Sequence, residues 1–160
     1  MIRKSKWLKT GLLIGALLAS SAPVSTVQAS SIMEKITPAE TTEDSAEDTS
    51  YSLLRGNNLN HGSAIITKLS NYEVNIYGLT QCHHECDKVW LDISLEQKNN
   101  GSYSTYKYWQ YEANNVTSLS RSLNVIVPSG HYYRLRGYHA AKDGTKESTS
   151  TLTSGIWVGK

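Results

Sequence analysis

Between residues 89 and 96 the chain alternates apolar and polar side chains without a break. Val89, Leu91, Ile93 and Leu95 fall on one parity, and Trp90, Asp92, Ser94 and Glu96 on the other. Successive side chains of an extended strand point to opposite faces, so this run buries one face and wets the other only as a β-strand. Asn99-Asn100-Gly101 follows, and Asn-Gly favours the left-handed backbone of a tight hairpin. The returning strand is expected at about 103–112, with Tyr106, Tyr108 and Gln110 on one face and Lys107, Trp109 and Tyr111 on the other.

The same signals recur along the chain. Runs at 63–69 and 73–79 flank a turn at Ser70-Asn71. Residues 120–127 place Leu123, Val125 and Val127 inward, and Pro128-Ser129-Gly130 is a turn signal. Residues 132–141 form the next strand, Asp143-Gly144 turns again, and 146–158 closes the domain. No convincing amphipathic helix intervenes. About seven short strands separated by turn residues predict an all-β, antiparallel β-sandwich of the immunoglobulin or fibronectin kind over residues 51–160, with a β-barrel as the alternative. The turn at 128–130 feeding a strand that opens with tyrosines resembles the tyrosine corner of such sandwiches. Tyr133 shares a face with Leu135 and is assigned that role, with Tyr132 as the alternative.

The first 29 residues read differently. Arg3, Lys4, Lys6 and Lys9 precede an apolar run from Gly11 to Ala19, and Val27-Gln28-Ala29 supplies small residues at a cleavage position. That is the layout of a secretory signal peptide. The apolar run is well short of the ~20 residues a membrane-spanning helix needs. Cleavage near Ser30 would release the rest to the outside or to the cell envelope, with no membrane insertion afterwards. Residues 30–50 carry Glu34, Glu40, Glu43, Asp44, Glu47 and Asp48 among Ser, Thr and Ala. So little apolar surface predicts an acidic, disordered linker.

Charge narrows the partners. All 14 acidic residues but only 12 of the 16 basic ones follow residue 29, a net charge of −2. A nearly neutral chain has no field to draw it to nucleic acid. It has no Phe but 10 Tyr, and tyrosine suits surfaces that stay partly wet.

Several segments together resemble a known family. They are Cys86-Asp87-Lys88-Val89, Leu95-Glu96-Gln97, Asn100-Gly101-Ser102, the stretch from Gly130 to His139, and Glu147-Ser148-Thr149-Ser150-Thr151. In this order, across about 55–158, they resemble small secreted proteins of Gram-positive, Clostridia-like bacteria that carry a domain of unknown function. The resemblance implies export and a single β domain. It supplies no catalytic residue, substrate or cofactor.

Two constellations are candidates for chemistry. Cys82-His83-His84-Glu85-Cys86-Asp87 concentrates thiols and imidazoles. Outside the cytoplasm Cys82 and Cys86 could form a disulfide, provided a turn shortens the distance an extended chain would impose. Alternatively Cys82, His83, His84 and Cys86 would suit Zn²⁺ or copper. A thiol nucleophile paired with His84 or His139 lacks an orienting third group. The second constellation is Tyr132, Arg134, Arg136 and Tyr138 on one parity of one strand. With Trp109 and Tyr111 as neighbours it would form a cationic-aromatic surface for stacking sugars or holding acidic groups. Its alternative is ordinary cross-strand pairing with Glu or Asp. No phosphate loop, H-E-x-x-H or G-x-S-x-G motif is present. The expectation is a secreted, non-enzymatic module binding glycan or protein, without a cofactor. The alternative is a metal-binding extracellular protein using the Cys82–Cys86 segment.

Overall fold

The structure is a computed structural model that describes residues 39–52 and 56–160. The expected signal peptide, and the linker as far as residue 38, lie outside the described residues. Among the described residues seven strands follow one another without a helix: β1 Ser45–Tyr51, β2 Leu59–Ser70, β3 Glu73–Asn99, β4 Ser102–Ile126, β5 His131–Asp143, β6 Thr145–Leu152 and β7 Ile156–Val158. All named strand pairs are antiparallel, in the order β1-β2-β3-β5-β6, with β4 beside β3 and β7 beside β5.

The all-β expectation holds, although the strands divide differently. The runs at 73–79 and 89–96 are two halves of one 27-residue strand, β3. Its first half pairs with β2 and with the end of β4; its second half pairs with β5 and with the start of β4. Both long strands bend at the same level. The β3–β4 register slips between Gln81 and Cys86, and one residue past the slip, next to Val116, Asn115 takes a left-handed φ of 54°. Asparagine tolerates that conformation better than most residues. The bend folds the sheet over itself, which gives a nearly closed, barrel-like sandwich. Gly78 of the first half lies against Leu91 and Ile93 of the second, where an added Cβ would come within 2.9 Å of Ile93.

The interior follows the alternation. Ile66, Val74 and Ile76 from one half face Val89, Leu91, Ile93, Leu95, Leu135 and Ile156 from the other, all essentially sealed from solvent. Each such side chain contributes about 1.5–3 kcal/mol. The hairpin at Asn100-Gly101 has φ of 50° and 84°, as the dipeptide predicts. Tyr133 is buried, and its hydroxyl donates to the Pro128 carbonyl at 2.7 Å while accepting from Gln97 Nε2 at 2.8 Å. Tyr133 rather than Tyr132 therefore pins the corner.

Residues 39–50 correct the expected linker. Glu40 bridges to Gly155, and β1 pairs in full register with β2, Ser45 opposite Thr67 through Tyr51 opposite His61. A ladder of main-chain bonds needs few apolar side chains, and only Ala46 of β1 packs on the core cluster. The outer strands β1 and β6 meet through side chains. Ser50 Oγ lies 2.6 Å from Thr149 Oγ1, and Leu152 N–H donates to Asp48 at 2.7 Å. Beside this seam the buried Glu147 carboxylate accepts the N–H groups of Asn57, Asn58 and Leu59 at 2.9–3.3 Å. Gly56 leaves room for it, since a Cβ there would fall 2.0 Å from the carboxyl carbon.

Candidate functional site

The wet parity of β3 defines the outward face of the second half-sheet. Because Leu91 and Ile93 point inward, Trp90 and Asp92 point outward. The register then places Glu112 and Gln110 of β4 beside them on one flank. Ala140 and Tyr138 of β5 lie on the other flank. β6 follows β5, with Lys146 opposite Lys142. Trp90, Asp92, Gln110, Tyr111, Glu112, Tyr138 and Lys146 line an open groove of about 470 Å³.

Charge and aromatic surface alternate within this groove. Lys146 holds its ammonium 4.4 Å from the Trp90 ring centroid and 5.5 Å from that of Tyr138. Lys88 lies 5.3 Å from Trp90 and pairs with Glu112 at 2.8 Å. The Tyr108 hydroxyl donates to Asp92 at 3.0 Å, and burial first, then this bond and the Asp92 charge, raise the phenol's pKa. Indole and phenol faces with polar groups at their rims suit a ligand that is apolar on one surface and hydroxylated at its edges.

Sequence reasoning placed only part of this site. Tyr138 lies in the groove. Trp109 and Tyr111 correct the expected surface: they oppose Ile93 and Leu91, whose side chains are in the core, and pack from the inner side. Tyr111 still contributes to the groove wall, while the Arg121 guanidinium covers its ring at 4.9 Å. Trp90, Asp92 and Lys146 were missed. The signal was a tryptophan on the wet parity of the most regular strand.

The cationic part of the expected surface is tied up within the protein by a single shared carboxylate. Arg134 and Arg136 both grip Glu96, through Nε at 2.5 and 2.7 Å. Burial alone would raise the Glu96 pKa, but the two guanidinium hydrogen bonds and charges outweigh it and hold the carboxyl below its usual range. Arg134 is only 7% exposed, and it stacks at 4.0 Å over Tyr103. The Tyr103 hydroxyl donates to Glu40, and Glu40 also pairs with Lys98. Tyr132 leans edge-on against Trp157 at 5.1 Å. Ordinary cross-strand pairing, the alternative reading of this constellation, describes Arg134 and Arg136.

The Cys/His segment does not form the expected site either. Cys82 and Cys86 point into the core, while His83, His84, Glu85 and Asp87 point to solvent. Both share the inward parity of Val74, Ile76 and Thr80 but do not come to bonding distance, so both thiols are free. Burial, then the neighbouring Cys86 thiol, pushes the Cys82 pKa up to about 12. A neutral, buried thiol is a poor ligand and nucleophile. His84 pairs outward with Asp143 at 3.0 Å. Among the described residues no group of three His, Cys, Asp or Glu side chains is placed to hold a metal ion.

One buried polar group lies behind the groove. His139 is fully buried on the inner side of β5. The Thr80 hydroxyl donates to the Trp90 carbonyl at 2.9 Å and so accepts from His139 Nδ1 at 3.1 Å. Nε2 then accepts from Thr151 at 2.9 Å. Burial, reinforced by His61, lowers the His139 pKa to about 4, leaving the imidazole neutral. Gly62 and Gly137 make the space, since a Cβ at either would lie within 2.4 Å of the ring.

A model for a family of unknown function, DUF6147, matches residues 31–155. The chain belongs to that family. Among curated proteins none matches this chain. One solved structure similar to this DUF6147 domain is that of Spo0M, a sporulation control protein from Bacillus subtilis. It is 10% identical, and the match covers 74% of this chain and 50% of that one at a TM-score of 0.37. This chain thus spans half the length of that protein. A likeness that faint bears on neither mechanism nor partner.

Proposed function

We propose that this DUF6147 domain is a non-enzymatic binding module that holds a glycan in the Trp90–Tyr138 groove, outside the cytoplasm or at the cell envelope. The observation that carries the reading is an outward indole and phenol, flanked by the polar side chains of Asp92, Gln110 and Glu112, on a rigid sheet. Sugar rings present C–H faces that stack on aromatic rings and hydroxyls that bond to carboxylates and amides at the rim. Export rests on the leader-like segment at residues 1–29. Among the described residues no helix is long and apolar enough to cross a membrane.

The test is titration of the purified domain with soluble cell-wall and host-type oligosaccharides. Trp90→Ala is expected to weaken binding about ten-fold, some 1.4 kcal/mol. Trp157→Ala, at the opposite end of β5, is expected to leave binding unchanged. Equal binding by folded Trp90→Ala protein removes the groove from consideration.

A further inference from the structure

The groove already holds an ammonium group. Lys146 rests its charged end on Trp90 and also faces Tyr138, at 4.4 and 5.5 Å from the two centroids. Both are cation–π distances. Among the described residues Lys146 makes no ion pair. It stands two residues after the Gly144 turn on an exposed position, with a four-carbon stem free to swing aside. The Asp92 carboxylate lines the same groove, receives only a neutral phenol hydroxyl, and likewise has no ion-pair partner among the described residues. Glu112, on the same wall, is already engaged by Lys88. Displacing Lys146 therefore leaves two aromatic faces and the Asp92 carboxylate beside the vacated position, with the remaining cation near Trp90, Lys88 at 5.3 Å, already paired with Glu112.

From this we infer that the ligand is an amino sugar with a free, protonated amine, that is, a de-N-acetylated glycan. Its ammonium takes the position Lys146 now fills and its ring stacks on Trp90. This rests on the glycan reading above and names the sugar class. An N-acetyl group would remove the charge that the aromatic pair and Asp92 attract. It would also add bulk where the ammonium sits. Lys146 then acts as a resident competitor: an exposed cation–π contact is worth a factor of roughly two to five, so removing it should tighten binding by that much.

The experiment compares glucosamine tetramers with N-acetylglucosamine tetramers by calorimetric titration, at a pH where the free amine is protonated, with lysine amide as an ammonium lacking the sugar. Wild-type protein is expected to bind the glucosamine tetramer about ten-fold or more tightly than either of the others. Lys146→Ala should improve glucosamine binding two- to five-fold and improve the acetylated tetramer by less, and Asp92→Asn should reduce the preference. Equal or tighter binding of the acetylated tetramer overturns the ammonium inference while leaving the glycan reading intact. Lysine amide binding as well as the glucosamine tetramer overturns the sugar class. If Lys146→Ala protein of native circular dichroism binds neither tetramer, and the wider panel of oligosaccharides also fails, the glycan reading falls and the inference with it.

Discussion

The outward face shared by β3 and β5 has two ends built from the same residue types that behave in opposite ways. At one end Glu96 is gripped by Arg134 and Arg136, Arg134 lies on Tyr103, and Lys98 and Tyr103 take up Glu40 from the chain ahead of β1. Most charges and rings there have partners inside the fold, although the buried Arg134 Nη1 has no hydrogen-bond partner. At the other end Trp90, Asp92, Tyr138 and Lys146 border an open groove, where the exposed Lys146 rests on two half-buried rings. An Arg/Tyr alternation thus marks a strand face; competence to bind depends on whether the partners are supplied by neighbouring strands. At the sealed end β3 itself supplies the carboxylate, in register with Arg134. At the open end the residues opposite Trp90 and Tyr138 on β5 and β6 are Ala140 and Ser150, which supply no carboxylate, so only lysine side chains lie over the rings.

The sharpest way to break the contrast is Glu96→Ala. It strands two guanidinium groups, one of them buried, and breaking a buried ion pair from one side costs about 3–5 kcal/mol. The measurement is urea unfolding. A loss under about 1 kcal/mol would show that the sealed end is not held by this carboxylate.

Next in size is acid sensitivity, which separates the ends by pH. The His139 pKa falls from 6.5 unfolded to about 4 folded, so the unfolded chain takes up the proton first. Stability is full above pH 6.5, declines as pH drops towards 4, and then levels off, a total of about 3 kcal/mol. Glu96 titrates in the same sense, in a lower pH window. Its lowered pKa contributes stability above the ordinary carboxylate value of 4.5, which is lost as pH falls below it. Unfolding midpoints across both windows should show two successive losses, and His139→Gln should flatten the upper one alone.

Smaller again is the ten-fold binding loss expected of Trp90→Ala, set against unchanged binding by Arg136→Ala. Smallest is Asp48→Ala, which removes a carboxylate from the Leu152 N–H at the seam and should cost about 1 kcal/mol without touching the groove. Thermal melting of that variant checks it.

What was legible in the sequence followed from side-chain periodicity and turn chemistry. The inward row Val89 to Leu95, the Asn100-Gly101 hairpin and the Tyr133 corner all declare themselves locally. β1 did not, because Ser45–Tyr51 is held by main-chain pairing that composition cannot reveal. The continuity of β3 was hidden by the polar stretch from His83 to Asp87, which reads as a break yet stays extended. The face of Trp109 was misjudged for a different reason. Its parity within β4 was right, but only cross-strand register, with Ile93 opposite, tells which side that parity occupies. The cysteines failed similarly: both share the inward parity of Val74, Ile76 and Thr80, while the register slip between them keeps His83, His84 and Glu85 outside.

The junction of β1 and β6 has a kinetic consequence. Hydroxyl and carboxylate contacts fasten it, with no ladder of paired amides to unzip cooperatively. Thermal fluctuation will therefore part the wall there before it frays elsewhere, and the amides of Ser45–Tyr51 will trade hydrogen for deuterium ahead of those in β3. The stretch that looks like a tail is then the domain's door, the first place where a protease would find the wall open.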